Sequence, residues 1–330
     1  MIKKLVGFDT VSRESNLPLI DFVQNILDDQ GIDSRRVPSA DGQKSNLIAT
    51  VGPSEAGGVV LSGHTDVVPV DGQDWDSDPF TLMRSGSRLY GRGSCDMKGF
   101  IGIALALVPK MVNLRRPIHF ALSYDEEVGC LGAPDMIEVI RRELPEPQGV
   151  IVGEPTTMGA VIGHKGMVGL RTVVRGYEAH SSLTHRGVSA VMTAARLVSH
   201  LESVAQDLAK KTPRDNGFEP HHTSVHVGVI HGGTALNIIS GECEFIWDIR
   251  NIPGDDPQLL IDLFEQFCRD EVLPGMRARY ERCAIDTQVL ARSPAFDESA
   301  SPILSLVQSL IGSDDTARVA YGTEAGQYQG

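Results

Sequence analysis

Residues 98–127 read KGFIGIALALVPKMVNLRRPIHFALSYDEE. The first half, 98–112, is apolar almost all round, the pattern of a helix buried between layers. The second half, from Pro117, is a short apolar run that stops at Asp125, Glu126 and Glu127, the pattern of a buried strand with an acidic end. Similar runs lie on either side: NLIAT (46–50), GGVVLSGH (57–64) and GVIVGEP (149–155). Each is bounded by Gly, Pro or acidic residues. Strands alternating with helix predict an α/β layer architecture. The chain opens with helical spacing too, with Leu5, Phe8, Ile20, Val23 and Leu27 set for one buried face.

The pattern changes near residue 167. MVGLRTVVRG alternates like a half-exposed strand, and 187–210 carries an apolar helical face through Val188, Val191, Ala195, Val198, Leu201 and Leu208. TSVHVGVIHGG and GECEFIWDIRN read as two further strands, DDPQLLIDLFEQFCRDEV as a helix with an Asp-Pro start, and 277–285 as a closing strand. The order β-α-β-β-α-β predicts a ferredoxin-like α+β unit. It is inserted, since 301–330 returns to helix then strand. The expected division is 1–167, an inserted 168–286, and 287–330. TPRDNGFEPHH (212–222) reads as an exposed loop.

Bulk properties narrow the function. A length of 330 residues favours two domains over one core. A formal net charge of −13 argues against nucleic acid and anionic membranes. The five cysteines, Cys95, Cys130, Cys243, Cys268 and Cys283, form no C-x-x-C pair, which fits a reducing compartment. The N-terminus has no signal-peptide apolar run and no stretch reaches membrane-spanning length, so a cytoplasmic protein is expected.

The chemistry-bearing residues gather at strand ends, where open α/β sheets bind ligands. LSGHTDVVP (61–69) ends a strand in His64 and Asp66, two apart and so on one side of an extended chain. Asp66 there supports a ligating His64. LYGRGSCDMKGF (89–100) places Asp96 in a Gly-rich turn before the apolar helix; its acid sits where a dinucleotide fingerprint needs Gly, which excludes pyrophosphate. SYDEEVGCLGA (123–133) offers Glu126 and Glu127, whose side chains diverge, so that one can bind metal while the other faces a water. IVGEPTTM (151–158) adds Glu154, and GYEAHSSLTHRG (176–187) adds His180. Taken singly, each is equally a loop histidine, an N-cap or a solvated acidic loop. Together they make one imidazole and several carboxylates, a ligand set for zinc, cobalt or manganese. No HExxH, G-x-S-x-G or P-loop sequence competes.

The ordered set GHTDVVP, GRGSCDMKG, DEEVG, GEPT, AHSS and TALNIIS…DIR resembles the metallopeptidase family that contains acetylornithine deacetylase, succinyl-diaminopimelate desuccinylase, aminoacylase and glutamate carboxypeptidase. The resemblance covers essentially the whole chain. It implies a zinc-peptidase-like catalytic domain, a mixed sheet between helices, with the inserted unit as lid and dimerisation domain. It implies two divalent ions per subunit, zinc or cobalt. His64 and Glu154 would bind one and Glu127 the other, with Asp96 bridging, Glu126 the general base and Asp66 supporting His64. A lid histidine matched by His180 would hold the oxyanion, often across a homodimer. Asn237 and Arg250 would hold the substrate carboxylate. Within the family, FDTVSRESNLPLIDFV (8–23), Trp75 to Phe80 and YGTEAG (321–326) resemble the acetylornithine deacetylase branch, implying hydrolysis of N-acetyl-L-ornithine to L-ornithine and acetate.

The family pattern also has a final metal-binding histidine well after the segment matched by YGTEAG. This chain reaches Gly330 before it. A truncated form with a weakened Glu127-side metal is therefore expected. Rival readings are a related aminoacylase, desuccinylase or dipeptidase, and a non-catalytic member that binds an amino acid or a partner.

Overall fold

A computed structural model of the chain describes residues 1–211, 215–298 and 301–329. It divides into two compact units: Met1–Ile162 with Glu298–Ala317 and Thr323–Gly330, and Gly163–Asp297 with Arg318–Gly322.

The first unit begins with helices α1 (Ile2–Val6) and α2 (Leu17–Asp28), followed by strands β1 (Ser34–Pro38), β2 (Ser45–Val51) and β3 (Val59–His64). A small hairpin of β4 (Met83–Ser85) and β5 (Arg88–Tyr90) precedes α3 (Lys98–Leu107), β6 (Ile118–Ser123), α4 (Ala133–Glu143) and β7 (Gly149–Val152). The main sheet runs β1-β2-β6-β3-β7. β1 and β2 are antiparallel additions, while β6, β3 and β7 are parallel. Alternation along the strands sends Leu47, Ala49, Val51, Phe120 and Leu122 to α1, α2 and α3 on one face. It sends Ile48, Val60 and Ala121 to α4 on the other. The sheet is thus mixed and covered by helices on both faces, and the carboxyl ends of its three parallel strands lie side by side.

Two helical expectations change in detail. The opening face is split between α1 and α2, because residues 10–12 run extended beside Val67, with the Ser12 amide donating to the Val67 carbonyl at 3.2 Å. The apolar helix stops at Leu107 and tightens into a 3₁₀ turn at Val108–Lys110, since Pro109 has no amide to continue the ladder.

The chain then forms β8 (Ala160–His164), β9 (Met167–Arg175), α5 (Ala190–Lys211), β10 (Ser224–Gly232), β11 (Glu242–Arg250), α6 (Pro257–Phe267), α7 (Leu273–Arg277), β12 (Ala284–Ser293) and β13 (Phe296–Asp297). α8 (Pro302–Ile311), β14 (Thr316–Val319) and α9 (Ala325–Tyr328) complete it. The second unit's sheet has the order β10-β11-β9-β12, antiparallel throughout, from a β-α-β-β-α-β succession. Val168, Leu170, Val174, Phe245, Trp247 and Ile249 point to one face, against Ala194, Leu197 and Leu201 of α5 and Ile261 and Phe264 of α6. Asp256 caps α6 by accepting from the Gln258 amide at 2.8 Å.

The closing strand expected at 277–285 lies instead at Ala284–Ser293. Helical structure continues from α6 through a π turn at Cys268–Val272 into α7, and ladder pairing starts only where Ala284 meets Arg175. Pairing of β12 with β9 down to Met167 carries the second unit on to Asp297, past the 286/287 boundary read from sequence. Residues 212–214 of the expected loop lie outside the described residues; Asp215–Thr223 holds no helix or strand. No helix among the described residues is long and apolar enough to cross a membrane.

Phe264 is 2% exposed and packs on Trp247 with ring centroids 4.9 Å apart. Phe264→Ala is expected to cost about 3–5 kcal/mol in urea denaturation, the usual loss for a buried aromatic. A loss under about 1 kcal/mol would show that this face is not packed.

Candidate metal centre

The three parallel strands of the first unit each end in a candidate ligand. β3 ends at His64, β6 runs into Asp125, Glu126 and Glu127, and β7 runs into Glu154. In register His64 lies opposite Ser123, and Ser62 opposite Val152. Asp96 arrives from the turn before α3. His64, Glu126 and Glu154 place ligand atoms within 4.8 Å of one another, as do His64, Asp96 and Glu127. His64 belongs to both sets. Five of the residues singled out in the sequence therefore meet at one end of the sheet.

Hydrogen bonding fixes the imidazole. His64 Nε2 lies 2.9 Å from Asp96 Oδ1 and 3.8 Å from Glu154 Oε1, while Nδ1 faces the Asp66 carbonyl oxygen at 2.9 Å. Asp66 is 2% exposed and holds more than the histidine. Its carboxylate accepts from Ser12 Oγ at 2.7 Å and from the Glu126 and Glu127 amides at 3.1 and 3.3 Å. The loop that carries the two glutamates is thus tied to the loop after β3. Asp125 turns away, in a left-handed conformation with φ 56°, and pairs with Lys44 at 2.6 Å.

Electrostatics show what the cluster lacks. Burial pushes the Glu126 carboxyl up to about 7, with the charges of Glu324 and Glu127 adding and His64 opposing. Burial likewise lifts Glu154 to about 8 and raises Glu127. Burial alone would favour neutral His64, yet its bonds to Asp66 and Asp96 carry it well above the usual imidazole range. One base faces four carboxyl groups, and Lys44 is committed to Asp125. A compact set of hard and borderline donors with uncompensated negative charge fits divalent cations.

His180, Asn237 and Arg250 belong to the second unit. His180 is exposed, its Nδ1 2.8 Å from Ser182 Oγ. It stands beside Asn237: the Ser181 amide donates to the Asn237 carbonyl at 2.9 Å, and His180 forms a β-bridge with Ile238. Arg250 lies at the opposite end of β11, paired with Asp248 at 2.8 Å. The structure brings the first two together and keeps the third apart from them.

Sequence reasoning missed Glu324. It is fully buried, and its carboxylate accepts from Ser62 Oγ and, at 2.8 Å, from Ser123 Oγ. Burial raises its pKa. YGTEAG carried the signal, but a lone Glu between Thr and Ala has the look of a surface residue. Ser12 and Lys44 were missed because their partners are 54 and 81 residues away.

A model of peptidase family M20/M25/M40 matches residues 60–265. An acetylornithine deacetylase of Myxococcus xanthus is 37% identical over 335 residues, covering 99% of this chain and 84% of that protein. Another, of Proteus mirabilis, is 32% identical over 96% of this chain and 80% of its own length. Among solved structures, a metallo-carboxypeptidase of the M20 family from Sulfolobus solfataricus superposes with a TM-score of 0.74 at 16% identity, covering 99% of this chain and 87% of that one.

The raised carboxyls set a pH dependence. An acid whose folded pKa exceeds its unfolded value binds extra protons in the folded state between the two, so stability falls as pH rises through that window. For Glu126 and Glu154 the window runs from 4.5 to about 7 and about 8. In chelator, the melting temperature is expected to drop from about pH 5.5 to about pH 8, and added zinc to raise it more at the higher pH, because bound metal needs deprotonated ligands. A metal-free melting temperature that climbs across this range would contradict the uncompensated cluster.

Proposed function

We propose that this chain, which belongs to peptidase family M20/M25/M40 and is an enzyme of metal-dependent amide hydrolysis, acts on N-acetyl-L-ornithine, releasing acetate and L-ornithine. The observation that carries the substrate is the 37% identity to an acetylornithine deacetylase across 99% of the chain. Two divalent ions, zinc or cobalt, suit the donors. His64 and Glu154 would hold one and Glu127 the other, with Asp96 serving both. When bound, such ions lower the pKa of a water and polarise the amide carbonyl.

The chain's own groups do the rest. Asp66 orients His64 through its carbonyl and fixes the Glu126–Glu127 loop through its carboxylate. Glu126, whose carboxylate lies within 4.8 Å of His64 and Glu154, is placed to act as general base. It takes a proton from the attacking water and returns it to the α-nitrogen as the C–N bond breaks. His180 steadies the oxygen of the tetrahedral centre, and Asn237 and Arg250 hold the substrate carboxylate, on the strength of their motifs.

The second unit also supports a homodimer. At about 3.3 Å per residue, β11 separates Arg250 from the His180–Asn237 end by roughly 25 Å. One copy cannot set both groups on one small substrate. β10 is an edge strand with Val229 and Ile230 exposed, a template for pairing with a second copy. That no disulfide joins the cysteines among the described residues supports the cytoplasmic reading.

Acetate release from N-acetyl-L-ornithine should vanish on chelation and return with zinc or cobalt, and a panel of N-succinyl amino acids and dipeptides should turn over more slowly. Faster turnover of a panel member would move the substrate assignment to it. Glu126→Gln is expected to keep its metal and lose about 10²–10⁴-fold in kcat. If metal is lost instead, Glu126 is a ligand. Sedimentation should give twice the 35.7 kDa chain mass. Mixing inactive His180→Ala and Arg250→Ala subunits should restore activity; a monomer, or no recovery on mixing, would refute the shared-substrate dimer.

A further inference from the structure

We infer that Glu324 is a positioning residue for the metal centre, its carboxylate pinning the ends of β3 and β6 from the face that α4 covers. The inference rests on the metal-centre reading above. Ser62 and His64 are two apart on β3, so their side chains share a face. Ser123 lies opposite His64 and three residues before Glu126. Glu324 accepts from both serine hydroxyls, and Tyr328 Oη closes the group at 2.9 Å from Ser62 Oγ.

The same serines hold the neighbouring main chain. The Ser62 carbonyl accepts from the Gly153 amide at 3.0 Å, next to Glu154. The Ser123 carbonyl accepts from the Thr65 amide at 2.9 Å and from Thr65 Oγ1 at 2.7 Å. One carboxylate therefore reaches the two residues through which all three ligand-bearing strand ends are joined. Backbone ladders set the strand spacing, but they leave the terminal residues free to fray. The hydroxyl–carboxylate bonds remove that freedom where the ligands leave the sheet.

A carboxyl is an expensive buttress. Glu324 is 0% exposed, and among the described residues it has no ion-pair partner. Hydroxyls alone compensate its burial poorly. An apolar side chain could fill the space with no such penalty. Within the chain its negative charge finds a counterpart in His64, and cations in the cluster beyond Ser62 and Ser123 would add to it. Shape and charge both point toward the centre.

Cobalt(II) titration followed by visible absorption tests this on wild type, Glu324→Gln, Glu324→Ala and Ser123→Ala. Glu324→Ala is expected to weaken cobalt binding by about 10–100-fold, the range for residues that orient ligands, and to change the absorption band of the loaded protein. Its kcat for N-acetyl-L-ornithine should fall with KM little changed. Glu324→Gln, which keeps the shape, should restore the wild-type band while binding cobalt more weakly. A wild-type band and affinity in Glu324→Ala would overturn the inference, as would equal damage from the Gln and Ala variants. If Glu324→Ala does not fold, Ser123→Ala decides: an altered band supports the tie and an unaltered one rejects it. Wild type that binds no cobalt would sink the metal-centre reading itself, whereas wild type that binds while every variant matches it would sink only the role of Glu324.

Discussion

Mutual repulsion among the carboxyls around His64 is the constraint that shapes the first unit. Glu126, Glu127, Glu154 and Asp96 crowd one buried imidazole, and burial has already pushed Glu126 to about 7 and Glu154 to about 8. Left alone, such a group would relax by moving apart, since like charges a few ångströms away in a poorly solvated site cannot all ionise. The scaffold prevents that. Parallel strands β3, β6 and β7 hold the main chain that leads to His64, Glu126, Glu127 and Glu154 in a sheet covered on both faces, while Asp96 joins them from the turn before α3. The cost is offset only by positive charge at the centre.

Much of the surrounding structure makes sense as resistance to that relaxation. Asp66 is spent on holding, not on ligation: it accepts from Ser12 and from both glutamate amides. Lys44 takes Asp125 out of the cluster, so the third acid of the run does not add its charge to the other two. Extended residues 10–12 run beside Val67 and bring Ser12 within reach. The N-terminal segment, which carries no candidate ligand, thus serves the site by fixing one hydroxyl.

The strand ends were legible in the sequence because burial and chemistry leave the same mark there. An apolar run that stops at His64, Glu126 or Glu154 tells both where the sheet is and what its edge presents. The β-α-β-β-α-β order was legible for a similar reason, as alternation on β11 and a capped helix at Asp256 are local signals. The closing strand was misplaced because Cys268–Arg277 continues helical through a π turn, and ladder pairing with β9 decides where β12 begins. Glu324, Ser12 and Lys44 were illegible because hydrogen bonds between distant segments leave no period in the chain. Only the folded sheet shows that Glu324 lies under Ser62 and Ser123, 262 and 201 residues away.

Chemistry and selectivity are written in different places. The cluster of the first unit handles a polarised amide and a proton, and those demands are common to a peptide, an acyl amino acid and an acetylated one. Nothing in His64, Asp96, Glu126, Glu127 or Glu154 distinguishes among such substrates. That is why a metallo-carboxypeptidase at 16% identity can share the fold at a TM-score of 0.74 without informing the substrate. Discrimination has to come from side chains that touch the rest of the molecule. The rival groups of the second unit, His180 with Asn237 at one end of β11 and Arg250 at the other, are too far apart to meet one ligand from one copy. A substrate that needs both must be gripped by two copies. On the proposed roles, with His180 on the oxyanion and Arg250 on the substrate carboxylate, assembly serves hydrolysis and selectivity together.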